Sequence, residues 1–211
     1  MQDCGFYRRL SELLTNSPHN LVSSRSDPEE VCRQHLGDAQ RLGEILGPFG
    51  GRWMDLGTGG GLPGLVLARM WEEAEWVLVD AKRKKAREVE RFAGELGVDC
   101  RVVVGRAEDL AREQGWREGF DGVVTRAVAP LRIVVELARG FLAHEGRLIA
   151  VKGSRAEEEI EVAGHALERT GMELVTVTEL GGQSRGVILR AAGPVPEGIP
   201  RRAGVPQKRP L

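Results

Sequence analysis

The sequence of 211 residues contains few cysteines, few aromatic residues and no long apolar run. Its three cysteines, Cys4, Cys32 and Cys100, are odd in number and lack the spacing of a metal site, so we expect free thiols and no bound metal. No apolar stretch reaches the roughly 18 residues of a membrane-spanning helix. Residues 1–4 do not begin a basic and then apolar leader. These absences predict a cytoplasmic protein without a signal peptide or a membrane partner.

Charge and aromatic content limit how the chain could bind nucleic acid. The net charge of −1 excludes a polycation, although basic residues cluster at 82–85 and in the last 18 residues, where four basic residues face one acidic residue. Aromatic residues make up 5% and include one tyrosine, Tyr7. A nucleic acid would therefore be recognised by shape and phosphate contacts more than by base stacking.

From residue 51 onward, short apolar strands alternate with amphipathic helices, which predicts a Rossmann-like fold. Five strand–helix units are followed by two strands that we expect to pair antiparallel. The predicted strands are 53–56, 76–80, 100–104, 120–125, 147–151, 174–178 and 187–190, and the main predicted helices are 65–71, 82–96, 130–142 and 156–169. The pattern predicts a doubly wound, mostly parallel, seven-stranded α/β sheet with an N-terminal helical extension.

We divide the chain into three parts that fold as one unit. Residues 1–50 form the helical extension, in which Asp27 and Pro28 begin a helix as its cap and first residue. Residues 51–193 form the cofactor-binding domain. Residues 194–211 form a basic tail that is rich in proline and that we expect to be irregular.

The most informative segment is the glycine-rich loop at residues 55–64, whose sequence is DLGTGGGLPG. It follows a short apolar strand and opens into a helix. Glycines let the backbone turn sharply and approach a ligand where a Cβ would clash. A loop of this kind holds a nucleoside cofactor at the carboxyl end of a strand, or it is a tight turn that binds nothing.

Two cofactors fit the loop pattern. Gly59, Gly61 and Gly64 match the dinucleotide pattern G-x-G-x-x-G, and Asp80 follows at about the expected offset of 20 residues. A dinucleotide, however, needs free N–H groups and a positive helix end for its pyrophosphate, and Pro63 removes one such donor.

Acidic side chains favour the other cofactor, S-adenosylmethionine (SAM), which carries a sulfonium, an ammonium and no phosphate. Asp55 places a carboxylate at the predicted mouth of the loop, where it repels a diphosphate and attracts the methionine end of SAM. Asp80, at the end of the second strand, can accept hydrogen bonds from the ribose hydroxyls. We therefore expect SAM contacts from Asp55, Gly59, Gly61 and Asp80.

Several separate motifs, in order, resemble the bacterial 16S rRNA guanine-N(7) methyltransferases of the RsmG family, also called glucose-inhibited division protein B. The motifs are Asn20-Leu21-Val22-Ser23, Asp27-Pro28-Glu29, His35-Leu36-Gly37-Asp38, the loop at 55–64, Arg106-Ala107-Glu108, Thr125-Arg126-Ala127-Val128-Ala129-Pro130-Leu131, Lys152-Gly153 and the closing segment 200–211. Ala39 stands where that family has a serine, and residues 13–18 replace an aromatic-rich opening.

This resemblance implies a class I SAM-dependent methyltransferase fold, 16S rRNA or the small ribosomal subunit as partner, and a set of cofactor contacts. The implied SAM contacts are Gly57, Leu62, Ala107, Glu108 and Arg126. Candidate RNA contacts are Arg126, Lys152, Arg201, Arg202 and Lys208, because they are basic and follow strand ends or lie in the tail. We take a monomer as the default.

The reaction we infer is transfer of a methyl group from SAM to ring nitrogen 7 of guanine. That nitrogen carries no proton, so positioning can replace a general base, and we assign no catalytic residue. After the fourth strand, Thr125 and Arg126 stand where enzymes acting on exocyclic amines carry an Asn/Asp-Pro-Pro-aromatic element. Two alternatives remain open: an NAD(P)-dependent oxidoreductase, and a non-catalytic RNA-binding assembly factor. His35 is interpreted as a core residue.

Overall fold

The computed structural model describes residues 4–19, 21 and 27–211, so most of the Asn20–Ser23 motif lies outside the described residues. A seven-stranded sheet with the order β3-β2-β1-β4-β5-β7-β6 forms the centre. Its strands are β1 Gly51–Leu56, β2 Ala74–Asp80, β3 Arg101–Val104, β4 Phe120–Arg126, β5 Leu142–Lys152, β6 Met172–Gly181 and β7 Ser184–Ala191. The first five are parallel, and β7 runs antiparallel to β5 and β6. The predicted fold class is confirmed.

Helices cover both faces of this sheet. They are α1 Cys4–Thr15, α2 Pro28–Val31, a π-helical turn Cys32–Leu36, α3 Gly37–Leu46, α4 Gly64–Met70, α5 Arg83–Leu96, α6 Ala107–Leu110, α7 Leu131–Arg139, α8 Ala156–Val162, α9 Gly164–Thr170 and α10 Val205–Lys208. Among the described residues, no helix combines the length and the apolar character needed to cross a membrane.

In the N-terminal extension, the predicted helix start at residues 27–28 is present, but the helix that follows is interrupted. Asp27 caps α2 by accepting a hydrogen bond from the Glu30 N–H at 2.7 Å, and Pro28 is the first helical residue. A π-helical turn then joins α2 to α3, which the periodicity of the sequence did not indicate. The wider turn lies at His35, whose carbonyl is used in the site described below.

Two apolar clusters form the core. One packs α1 and α3 against α4, α5 and the strands, and the other packs α7, α8 and α9 against the sheet and the end of β7. All four tryptophans, Trp53, Trp71, Trp76 and Trp116, belong to these clusters and are at most 8% exposed. The scarce aromatic side chains therefore build the core.

The predicted elements differ most from the structure at three places. α7 ends at Arg139 and β5 already begins at Leu142, because Arg139 turns inward and its guanidinium donates to the Thr170 and Leu142 carbonyls at 3.0 Å each. The helix predicted over 156–169 is two helices that break at Ala163. The tail at 194–211 is packed against the sheet domain and ends in α10.

Candidate cofactor and substrate site

The glycine-rich loop joins β1 to α4 through residues with positive φ. Gly57, Gly59 and Gly61 have φ values of +73°, +59° and +89°. The Gly57 N–H donates to the Val79 carbonyl at 2.9 Å, which fixes the loop to the end of β2. A Cβ at Gly57 would lie 2.5 Å from Cγ2 of Val128, so the close approach of two strand ends requires glycine there.

Asp55 does not lie at the mouth of the loop, which corrects its predicted position. It is fully buried beneath the loop, where Oδ2 accepts hydrogen bonds from the Thr58 hydroxyl at 2.7 Å and the Gly64 N–H at 2.9 Å. Burial raises the pKa of Asp55 to about 6, although these hydrogen bonds and the charge of Arg126 lower it in part. Asp55 therefore supports the loop from below and has no surface exposed to a ligand.

Asp80 occupies the end of β2, as expected, and its carboxylate faces the loop. Oδ2 accepts from the Gly59 N–H at 3.0 Å, and Oδ1 accepts from the Lys82 N–H at 2.7 Å. The residue is 8% exposed and lines a cavity of about 360 Å³. Each oxygen retains a further lone pair, so the carboxylate can still accept a hydroxyl group from a ligand.

Three adjoining cavities follow the carboxyl edge of the parallel strands. The middle cavity of about 360 Å³ lies over the glycine-rich loop and Asp80. An adenine-side cavity of about 110 Å³ lies toward β3, and we use this name for the space lined by Gly105, Ala107 and Glu108, among others. A third, larger cavity of about 920 Å³ lies toward β5. Val128 lines all three.

The residues present fit SAM better than a diphosphate. Gly57, Gly59 and Gly60 line the middle cavity without side chains, and Asp80 offers free hydrogen-bond acceptors in the same cavity. Leu62 lines the middle cavity. Gly61 does not line it. A Cβ added at Gly61 would lie 2.4 Å from the Leu65 side chain, so the role of Gly61 is to let the loop pack closely on α4.

Arg126, at the end of β4, stands between the middle and the larger cavity and lines both. Its Nη1 donates to the His35 carbonyl at 3.1 Å, which ties β4 to the π-helical turn. Burial lowers the pKa of Arg126, and the carboxylates of Asp55 and Asp38 oppose that shift. The guanidinium therefore remains a fixed positive charge at the boundary.

Polar residues from several elements line the larger cavity. Gln34, His35 and Asp38 come from the N-terminal helices, Lys152 from β5 and Ser184 from β7. His35 is half-buried and faces this space, so its interpretation as a core residue is corrected. Burial, followed by the charge of Arg126, lowers the pKa of the His35 imidazole, which is neutral at pH 7.

Lys152 was predicted to bind RNA phosphates, but its ammonium is engaged within the protein. Nζ donates to the Ala129 carbonyl at 2.7 Å and to Glu159 Oε2 at 2.8 Å, and the side chain is 9% exposed. Glu159 Oε2 also accepts from the Leu131 N–H at 2.7 Å. This pair holds residues 127–130, which border the larger cavity, against β5 and α8.

Arg201 also differs from its expected role. Its Nε donates to Glu136 Oε1 at 2.8 Å and its Nη2 to Oε2 at 2.6 Å, while the Glu136 side chain is fully buried on α7. Arg201 thus anchors the tail. By contrast, Arg202 and Lys208 have exposed side chains, as an RNA contact requires.

Sequence reasoning missed four residues that shape the site: Glu136, Glu159, Val128 and Gln207. One signal was present for Glu136, since a carboxylate on the apolar face of an amphipathic helix needs a partner when buried. For the others, the sequence carries no comparable signal.

The family model described as "GidB: rRNA small subunit methyltransferase G" matches residues 5–188. A ribosomal RNA small subunit methyltransferase G from Thermotoga neapolitana is 37% identical over 215 residues, covering 97% of this chain and 90% of that protein. The protein of the same name from Symbiobacterium thermophilum is 38% identical over 202 residues, covering 90% and 82%.

Solved structures agree on the fold. A SAM-dependent methyltransferase from Aquifex aeolicus superposes with a TM-score of 0.59 at 19% identity, covering 88% of this chain and 98% of that one. At this identity the likeness shows the fold alone, and it is the fold expected from the strand order. The chain belongs to the rRNA small subunit methyltransferase G family, and it is therefore a SAM-dependent rRNA methyltransferase.

Proposed function

We propose that this protein transfers the methyl group of SAM to ring nitrogen 7 of a guanine in 16S rRNA. The observation that carries the proposal is the junction at Arg126, where a cavity suited to the cofactor opens into a larger cavity suited to a base. A methyl donor and its acceptor must meet in line at such a junction.

The cofactor site follows from the chain's own groups. We assign the adenine to the adenine-side cavity beside Ala107 and Glu108, the ribose to Asp80, and the methionine end to the space beside Leu62 and Arg126. Arg126 can pair with a carboxylate there. When bound, SAM supplies an electrophilic methyl group on a sulfonium.

The target base is assigned to the larger cavity. An unpaired guanine splayed from the RNA can enter it, because it opens beside the middle cavity. In the transfer, the in-plane lone pair of nitrogen 7 would form the new bond to carbon, the carbon–sulfur bond would break, and the positive charge would pass from sulfur to the base. No proton leaves, so no general base is needed. The neutral His35 and the Lys152–Glu159 ion pair add no net positive charge beside a base that becomes cationic, and the carboxylates of Asp55 and Asp38 offset the charge of Arg126.

The proposal also includes the RNA partner, the cellular location and the domain organisation of the protein. The substrate is naked 16S rRNA or the small ribosomal subunit, approached in the cytoplasm by a monomer, with Arg202 and Lys208 contacting phosphates. Residues 1–50, 51–193 and 194–211 fold as one unit. Supporting this, one apolar cluster combines α1 and α3 with the sheet, and the Arg201–Glu136 pair fixes the tail to α7.

The experiment combines the protein and labelled SAM with small subunits that lack the modification, and in parallel with naked 16S rRNA. We expect label at one guanine whose nitrogen 7 is alkylated, detected by strand cleavage after reduction and aniline treatment. Label on an exocyclic amine or only on a small metabolite contradicts the proposal. Arg126→Lys, which keeps the charge but loses the fork geometry, should lower the transfer rate strongly.

The two alternatives are not favoured. Family membership and the methyltransferase-fold neighbours oppose a nicotinamide-dependent oxidoreductase. Titration with SAM and with NAD(P)H tests this directly, and saturable binding is expected only for SAM. A silent assembly factor would bind the small subunit without labelling it in the experiment above.

A further inference from the structure

The tail at 194–211 returns from β7 along α7 to the adenine-side cavity. Three hydrogen bonds fasten its first half: the Val195 N–H donates to Glu118 Oε1 at 3.0 Å, Arg117 donates to the Ile199 carbonyl at 2.9 Å, and Arg112 donates to the Pro200 carbonyl at 2.6 Å. The family model that matches this chain ends at residue 188, before the tail begins.

The anchor at Arg201 fixes the second half of the tail. The backbone N–H of Arg201 donates to Glu136 Oε1 at 2.9 Å, in addition to the two side-chain bonds between these residues. A carboxylate buried on α7 therefore receives three hydrogen bonds from one tail residue. Charge-assisted bonds of this kind give the tail a defined position over the sheet edge.

The last fastening lies at the cofactor site. Glu108 is 3% exposed, and its Oε1 accepts hydrogen bonds from the Gly204 N–H at 2.8 Å and from Arg106 at 2.9 Å. Gly204 has a φ of +80° and turns the tail into α10. On that short helix, Gln207 is exposed and lines the adenine-side cavity together with Glu108.

We propose that Gln207 is a specificity-determining residue of the cofactor site, whose carboxamide hydrogen-bonds to the adenine ring of SAM, and that Glu108 is the positioning residue that holds the tail there. This inference rests on the proposed SAM site. A carboxamide presents one donor and one acceptor side by side, which matches the amino group and a neighbouring ring nitrogen of adenine. Oε1 of Glu108 already accepts a hydrogen bond from the Gly204 N–H of the tail.

The test compares two cofactor products, S-adenosylhomocysteine and its S-inosyl analogue, in which a carbonyl replaces the adenine amino group. Isothermal titration on the full chain measures both affinities. We expect the natural protein to prefer the adenosyl compound and Gln207→Ala to lose about tenfold in affinity for it, together with most of that preference. Arg209→Ala, exposed on the same tail, is the matched control and should retain both.

Glu108 variants test the positioning role. Glu108→Gln keeps an acceptor for the Gly204 N–H and should retain the preference, whereas Glu108→Ala should reduce it. If the natural protein binds the adenosyl compound and Gln207→Ala keeps the full preference, the inference is overturned while the proposed function stands. If the natural protein binds neither SAM nor the adenosyl compound, the proposed cofactor site itself fails.

Discussion

The Gly64 backbone N–H donates to Asp55 Oδ2 at 2.9 Å, and a Cβ at Gly64 would lie 2.5 Å from the same oxygen. The first turn of α4 therefore packs directly on the carboxylate of Asp55, the penultimate residue of β1. The other oxygen, Oδ1, has no hydrogen-bond partner in the described part of the chain. A buried carboxylate with one unpaired oxygen makes the loop sensitive to its protonation state.

The raised pKa of Asp55 predicts a pH-dependent stability. Its pKa is about 6 in the folded protein against 3.8 for an ordinary aspartate, so the native state binds more protons between these values. The free energy of unfolding should fall by up to about 3 kcal/mol as the pH rises from about 4 through about 6. Asp55→Asn keeps an acceptor oxygen but cannot titrate.

Urea denaturation of both proteins between pH 4.5 and pH 8 checks this. Relative to the natural protein, Asp55→Asn should be more stable at pH 8 than at pH 4.5. Parallel profiles would show that Asp55 does not titrate in this range. Asp55→Ala should instead destabilise the loop and weaken SAM binding together, because the Gly64 N–H and the Thr58 hydroxyl lose their acceptor.

Gly57→Ala should damage both stability and SAM affinity. The new Cβ would meet Val128 at 2.5 Å at a φ of +73°, which predicts a loss of about 2–3 kcal/mol in the free energy of unfolding. Gly59→Ala is the control, since its Cβ has no neighbour closer than 3.8 Å and only the φ of +59° opposes it. We expect about 1 kcal/mol there. Equal losses would show that the Val128 contact is unimportant.

Lys152→Met should slow methyl transfer without changing how RNA binding depends on salt. The ammonium holds the Ala129 carbonyl and Glu159, so its loss loosens the wall of the larger cavity. Removal of a lysine that contacts a phosphate would instead lower the magnitude of the salt slope by about one. Filter binding at several salt concentrations distinguishes the two. A double-mutant cycle with Glu159→Gln should show coupling of about 1 kcal/mol or more in stability.

Substitutions of the two neighbouring tail arginines, Arg201 and Arg202, should have different effects. Arg201→Ala leaves the buried Glu136 without its partner and should cost about 3 kcal/mol of stability. Arg202→Ala removes an exposed side chain, so stability should change by less than about 0.5 kcal/mol. RNA affinity should fall instead, with a reduced salt slope. If Arg202→Ala leaves RNA binding unchanged, the tail contacts no phosphate at that position.

The alternation of strands and helices made the fold predictable, because each element carries its own periodicity. The glycine-rich loop could also be predicted from the sequence, since its glycines form a local turn. The positions of Asp55 and Arg201 could not be predicted, because the burial of a side chain depends on which distant parts of the chain pack around it. Arg201 meets Glu136, which is 65 residues away in sequence. The sequence indicates that a buried Glu136 needs a partner, but it does not indicate which residue that partner is.

His35 shows the same limit in the opposite direction. Its spacing on the apolar stripe indicated a core position, yet the π-helical turn rotates this part of the helix so that the imidazole borders the larger cavity. A π-helical turn depends on tertiary packing and has no reliable sequence pattern.

The burial of all four indoles has a spectroscopic consequence. Tryptophan emission from the native protein should be blue-shifted and shielded from iodide, and it should move to longer wavelength only when the two apolar clusters come apart. Intrinsic fluorescence is therefore a clean reporter of global unfolding for every variant above, and ligand titrations need an independent signal such as heat.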